Sequence, residues 1–147
     1  MTSKIGLEQV LVGEAEALHM LGNARTRLNR RVMDPKAQLV SEFVQSIRVP
    51  GYFPPLEELR QQLVRAVEVL DEPAPTLARK EDVIVPGPVV EMPARIYAST
   101  ASVSEVLPVL AYFHGGGWVQ GDIETHDGLC SRLAIWSKAM VVSFEYR

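Results

Sequence analysis

Between residues 34 and 72 the apolar positions recur at helical spacing. Leu39, Val40, Phe43, Val44 and Ile47 fall at i, i+1, i+4, i+5 and i+8, and Leu56, Leu59, Leu63, Val67 and Leu70 recur at three and four residues. Both runs have the period of one helix face, expected to pack against protein rather than to hold a cofactor. Asp34-Pro35 predicts the start of the first helix, with Asp as N-cap and Pro at the first helical position. Val49-Pro50-Gly51 predicts its end and Pro54-Pro55 the start of the next. An earlier, mixed stripe through Ile5, Val10, Leu11, Glu14, Leu18 and Leu21 predicts another helix, stopped at Gly22-Asn23.

Asp71 to Thr76, carrying Pro73 and Pro75, reads as a linker, and beyond it the period changes. Val83-Ile84-Val85 predicts a short strand ended by the turn Pro86-Gly87-Pro88, and Ala94 to Ala98 a second. Pro108 to Phe113 (PVLAYF) and Met140 to Phe144 (MVVSF) are nearly all apolar, as expected of strands covered on both faces. Between them lie a Gly-rich loop, Gly115 to Gly121, and a predicted helix capped by Asp122 and running to about Ser137. Strand, loop, helix and strand make a βαβ unit of a largely parallel sheet, so the fold class is α/β. The expected organisation is a helical segment with linker over residues 1–75 and a sheet domain over 76–147.

Composition narrows the function classes. The chain has 147 residues, 47% hydrophobic and 22% charged, with formal charge −3. This suits one globular domain with a core and argues against disorder and against nucleic-acid binding. One Cys excludes an internal disulfide and a Cys-based zinc site, and fits a reducing, cytoplasmic location. The stretch from Ile5 to Leu21 is interrupted by Glu8, Glu14, Glu16 and His19, so no membrane span and no secretory leader are expected. Three His without ligand spacing give no metal site. Arg25, Arg27, Arg30 and Arg31 form a basic patch; it reads as a solvated helix face or loop, with an anionic partner as the alternative.

The chemistry-bearing stretch is His114-Gly115-Gly116-Gly117-Trp118, directly after an apolar strand. Three consecutive glycines are costly in chain entropy and make sense where backbone must approach a ligand closely or take positive φ. A loop so placed can aim bare N–H groups at an anion. A dinucleotide fingerprint, G-x-G-x-x-G, is met at Gly115 and Gly117 but fails at Gln120, and no P-loop string exists. The other anion is an oxyanion.

Here the sequence resembles the hormone-sensitive-lipase-like branch of the α/β-hydrolases, whose HGGG motif belongs to the oxyanion hole. The stretches PVLAYFHGGGWVQGDIETHDGLCSRLA and VVSFEYR resemble that branch across strand 3, helix A and strand 4, and VIVPGP and MPARIYAS its strands 1 and 2. The resemblance implies an incomplete α/β-hydrolase fold, the N-terminal half, preceded by part of a helical cap. It implies Gly116 and Gly117 as backbone oxyanion donors, Gly115 as shaping the loop, and His114 and Asp122 as organising it. His114 is then structural rather than the catalytic base, and His126, in the THD string, is structural too. Trp118 lines the substrate pocket or fills core behind the loop. His19 reads as a plain helix residue, Trp136 as helix-to-sheet packing, and Cys130 as buried rather than reactive. Glu145 departs from the Asp usual before Tyr-Arg.

The implied activity is hydrolysis of short or medium acyl esters through a covalent Ser ester, with no metal or organic cofactor. No Ser of the chain sits in G-x-S-x-G, so the nucleophile, acid and base are expected beyond Arg147. The chain alone is then expected to be inactive. Without strand 5, the PVLAYF strand is expected to be an open sheet edge. The expected partners are therefore an ester substrate and either a complementing C-terminal polypeptide or a second copy. The alternative is a non-catalytic, truncated module binding a ligand or partner.

Overall fold

The computed structural model describes residues 10–87, 89–100 and 106–146. Two compact units divide the chain, Met1–Pro54 and Pro55–Arg147. The predicted stripe residue Ile5 and the turn residue Pro88 lie outside the described residues.

The first unit holds α1 (Glu14–Met20), β1 (Arg27–Leu28), β2 (Arg31–Val32) and α2 (Pro35–Ile47). Helix α1 ends where Gly22 and Asn23 both take φ of +59°, a conformation that stops a helix. Asp34 caps α2 as expected, its Oδ1 accepting the N–H groups of Lys36 at 2.9 Å and Ala37 at 3.1 Å. The Arg-rich run is neither helix face nor loop but a β-hairpin. Its root is tied to α2 by buried Gln38, whose Oε1 accepts from Thr26 N–H and whose Nε2 donates to Ala24 O. Among the described residues of this unit, Val10, Ala17, Leu21, Pro35 and Leu39 are buried.

The second unit holds α3 (Leu56–Leu70), β3 (Arg79–Val85), β4 (Met92–Ala98), β5 (Val109–Phe113), α4 (Asp127–Ser137) and β6 (Met140–Phe144). The sheet order is β3-β4-β6-β5. Only β5 and β6 run parallel, in register from Val109 opposite Met140 to Phe113 opposite Phe144. The β3/β4 and β4/β6 pairs are antiparallel, so the sheet is mixed rather than largely parallel. The link from β3 to β4 is too short for a crossover, which forces a hairpin, whereas α4 supplies the crossover that parallel pairing of β5 and β6 needs. Tyr97, Cys130, Ala134 and Val141 form the core between α4 and the sheet, with Leu77, Leu110, Tyr112 and Leu133 packed against them.

Four expectations change. β5 is covered on one face, not both: Leu110 and Tyr112 pack against the core under α4, whereas Val109 and Phe113 on the other face are exposed. Helix α4 starts at Asp127, not Asp122, because Asp122 instead closes a turn, its Oδ1 accepting Thr125 N–H at 2.6 Å. Trp136 does not pack on the sheet: it lies two residues past buried Ala134, about 200° round the helix, and is 69% exposed. The apolar face of α3 is at best half-buried, with no fully buried residue.

Candidate functional site

Strand β5 delivers the chain into the Gly loop at buried His114. Gly116, Gly117 and Trp118 take φ of +132°, +63° and +62°, so the backbone is left-handed over three residues. Gly116 alone of the triple glycine is sterically obligatory: a Cβ there would lie 1.8 Å from Gln120 O, whereas at Gly115 and Gly117 it would meet nothing within 4 Å. Gly121, at φ +90°, is obligatory too, since its Cβ would fall 2.4 Å from Gly115 O.

The turn is closed by Gln120 N–H donating to Gly116 O at 3.1 Å, with Val119 N–H on the same oxygen at 3.3 Å. His114 Nδ1 lies 3.0 Å from Gly115 O; a carbonyl only accepts, so Nδ1 carries the proton. Nε2 is left buried without a partner among the described residues. The ring stacks on Tyr146 at 4.4 Å, and Tyr146 Oη donates to His114 O. From α3, Arg60 Nε donates to Val119 O at 2.9 Å. The loop is thus held from within, from the end of β6 and from α3. Among the described residues, neither Gly116 nor Gly117 donates its N–H to any acceptor.

A second cluster, not anticipated from the sequence, fixes the segment after the loop. Arg95 on β4 pairs with Asp82 of β3, with Glu124 at 2.6 Å and with Asp127 at 3.2 Å. Asp127, first residue of α4, also takes Lys80 Nζ at 2.7 Å and accepts from Tyr97 Oη at 3.1 Å. The hydrogen bond from Arg95 holds the Asp82 carboxyl below the usual range, and the paired carboxylates push the guanidinium up. Burial, then the Asp127 charge, pushes Tyr97 up. The sequence signal is a charged residue inside the apolar run MPARIYA; Asp82 lies 13 positions before it and Glu124 and Asp127 lie 29 and 32 after it, too far to leave a local trace.

Asp122 organises the turn between the two clusters, and His126 sits at the N-cap of α4 with its ring 5.5 Å from that of His114. Trp118 is 85% exposed. A cleft of about 460 Å³ lies over the ionic cluster, lined by Asp82, Arg95, Asp122, Glu124 and Glu145 among others. Val83, Ile84, Pro93, Ala94 and Ile123 line it as well, but no residue from Gly115 to Val119 does. Glu145 accepts Ile123 N–H at 3.0 Å. Cys130 is buried, and burial pushes its thiol up to about 11, the inert behaviour expected of it. Among the described residues no His, Cys, Asp and Glu group could hold a metal ion, and no helix is long and apolar enough to cross a membrane.

Residues 110–147 match a family model described as the alpha/beta hydrolase fold. The chain is 39% identical over 93 residues to esterase LipI of Mycobacterium tuberculosis, covering 63% of this chain and 28% of LipI. It is 33% identical over 90 residues to carboxylesterase NlhH of the same organism, covering 61% of this chain and 28% of NlhH. Among solved structures, a hyperthermophilic esterase from the archaeon Pyrobaculum calidifontis superposes with a TM-score of 0.56 at 39% identity, over 63% of this chain and 30% of that one. The chain therefore spans less than a third of the length of these relatives.

Proposed function

We propose that this chain, which carries part of an α/β-hydrolase fold, supplies the oxyanion-binding loop of a serine carboxylic-ester hydrolase acting on short to medium acyl esters. The observation that carries this reading is the pair of adjacent N–H groups, on Gly116 and Gly117, that find no acceptor on a loop otherwise pinned at both ends.

Attack of a Ser Oγ on an ester carbonyl puts negative charge on the carbonyl oxygen. Two preorganised N–H groups about 3 Å from that oxygen favour the tetrahedral species over the ground state. Gly115 shapes the approach, His114 and Asp122 hold the loop, and exposed Trp118 offers an indole face to the acyl or alcohol group. Nucleophile, acid and base come from polypeptide outside these 147 residues, since no Ser here lies in G-x-S-x-G. The open edge of β5 favours association, and the partner in this reading is that polypeptide or a second copy. The same edge also favours a second reading, a non-catalytic module that uses it to bind a partner. An intracellular setting rests on the single thiol.

The test is co-expression of the chain with a polypeptide carrying the G-x-S-x-G Ser, the acid and the base of an esterase relative, followed by p-nitrophenyl butyrate hydrolysis. The expected result is turnover by the complex and none by either part alone. A folded one-to-one complex without turnover contradicts the enzymatic reading and leaves the binding module.

A further inference from the structure

We propose that the hairpin of β1 and β2 is a docking site for the surface of an anionic lipid bilayer. Between Glu16 and Asp34 the chain carries four Arg and no acidic residue, in a protein whose formal charge is −3. Arg27, Arg30 and Arg31 are exposed, and none forms an ion pair among the described residues. The next two carboxylates along the chain are engaged elsewhere: Asp34 caps α2, and Glu42 accepts from Gln38 Nε2 at 2.9 Å. Arg25 is folded back, its Nε donating to Met33 O at 3.1 Å, and so braces the hairpin.

Apolar side chains alternate with these cations. Arg27 pairs across the hairpin with Val32, and Leu28 with Arg31, so each pair joins one cation to one apolar side chain. Leu28 is 73% exposed, and Val32 and Met33 are exposed as well. The tip, Asn29-Arg30, takes φ of +46° and +67°, a turn whose second position Gly fills with least strain. An Arg there is held against its backbone preference and projects at the tip. Met33 N–H donating to Thr26 O at 2.9 Å and the Gln38 clasp fix the root.

Guanidinium groups beside exposed Leu and Val match a surface that offers phosphodiester oxygens next to hydrocarbon. A nucleic acid offers the phosphates too, but takes up an apolar side chain such as Leu28 mainly by unstacking a base step, at a cost of about a few kcal/mol that a bilayer does not impose, and the formal charge of −3 opposes a polyanion without an apolar phase. The inference is independent of the ester chemistry, which involves none of these residues.

Sedimentation of the intact chain with phosphatidylcholine vesicles, with and without phosphatidylglycerol, tests it; a single-stranded oligonucleotide serves as the competing polyanion. Retention only on the anionic vesicles, weakened by salt, is expected. Each charge near such a membrane changes partitioning by about fivefold, so R27Q/R30Q/R31Q is expected to lose about 100-fold. Leu28→Ser is expected to lose about tenfold with all charges kept. All four side chains are exposed, and unchanged circular dichroism checks that both variants fold. Equal retention on neutral and anionic vesicles overturns the proposal, as does full retention of the triple variant. Binding of the oligonucleotide without binding of vesicles overturns it in favour of a nucleic-acid surface.

Discussion

Adding one methyl group to the loop at Gly116, Gly117 or Gly115 discriminates sharply between positions. At Gly116 the new Cβ would sit 1.8 Å from Gln120 O and 2.5 Å from Gln120 C, where ordinary contact begins at 3.4 Å. Both obstacles are backbone, so no rotamer change relieves them. Moving Gln120 away breaks its hydrogen bond to Gly116 O, and φ of +132° is itself unfavourable for an L residue. Backbone strain of ~1–2 kcal/mol and one lost turn hydrogen bond of ~1 kcal/mol together give ~2–3 kcal/mol. Gly117→Ala meets no atom and pays only for its φ of +63°, ~1 kcal/mol. Gly115→Ala has neither clash nor positive φ and is expected to be close to neutral. Urea unfolding followed by circular dichroism measures the stability order, 115 above 117 above 116. In the complex with a Ser-bearing polypeptide, kcat/KM is expected to fall about 100- to 1000-fold for Gly116→Ala, and within about tenfold for Gly117→Ala. A Gly116→Ala protein as stable as Gly115→Ala, or equal losses at 116 and 117, would refute the reasoning.

Arg95→Gln leaves Asp127, whose side chain is 14% exposed, without its guanidinium; because Asp82 and Glu124 remain well solvated, the expected loss is ~2 kcal/mol in urea unfolding rather than the full cost of a buried pair. Asp82 binds its proton less readily folded than unfolded. The stability it contributes is therefore present above the unfolded carboxylate range and lost as pH falls through the lower folded value, a dependence that Asp82→Asn should flatten in acid titrations. Cys130, raised by burial to about 11, is expected to resist Ellman's reagent at pH 8 in the folded protein and to react fully in urea; rapid labelling of the native chain would show the α4 interface to be open. Tyr146→Phe removes the hydroxyl donor to His114 O and should cost ~1 kcal/mol in the same unfolding assay.

The parts of this fold that announce themselves are those with short-range causes. Asp34-Pro35 caps α2 by a hydrogen bond spanning two residues, and MVVSF is apolar over the length of β6. β3 starts at Arg79, ahead of its apolar residues, because it is the other sheet edge and its charged first half faces solvent. The hairpin of β1 and β2 has two-residue strands, too short to carry a period of two. Asp122 shows the limit of local chemistry: the same side chain that caps a helix also closes a turn, and only the position of Asp127 under Arg95 and Lys80 decides where α4 begins. Of the candidate site, the triple Gly was visible as a motif, but its bracing by Arg60 and Tyr146 spans 59 and 32 residues and has no sequence signature.

The most direct test follows the amide signals of Gly116 and Gly117 by ¹⁵N NMR while a Ser-bearing partner polypeptide in complex with the labelled chain is phosphonylated. The adduct places a tetrahedral anionic oxygen where the ester carbonyl would react. The account predicts large downfield shifts of both amide protons, with the Gly121 and Gly22 amides unmoved. A phosphonylated Ser that leaves Gly116 and Gly117 unchanged would contradict it.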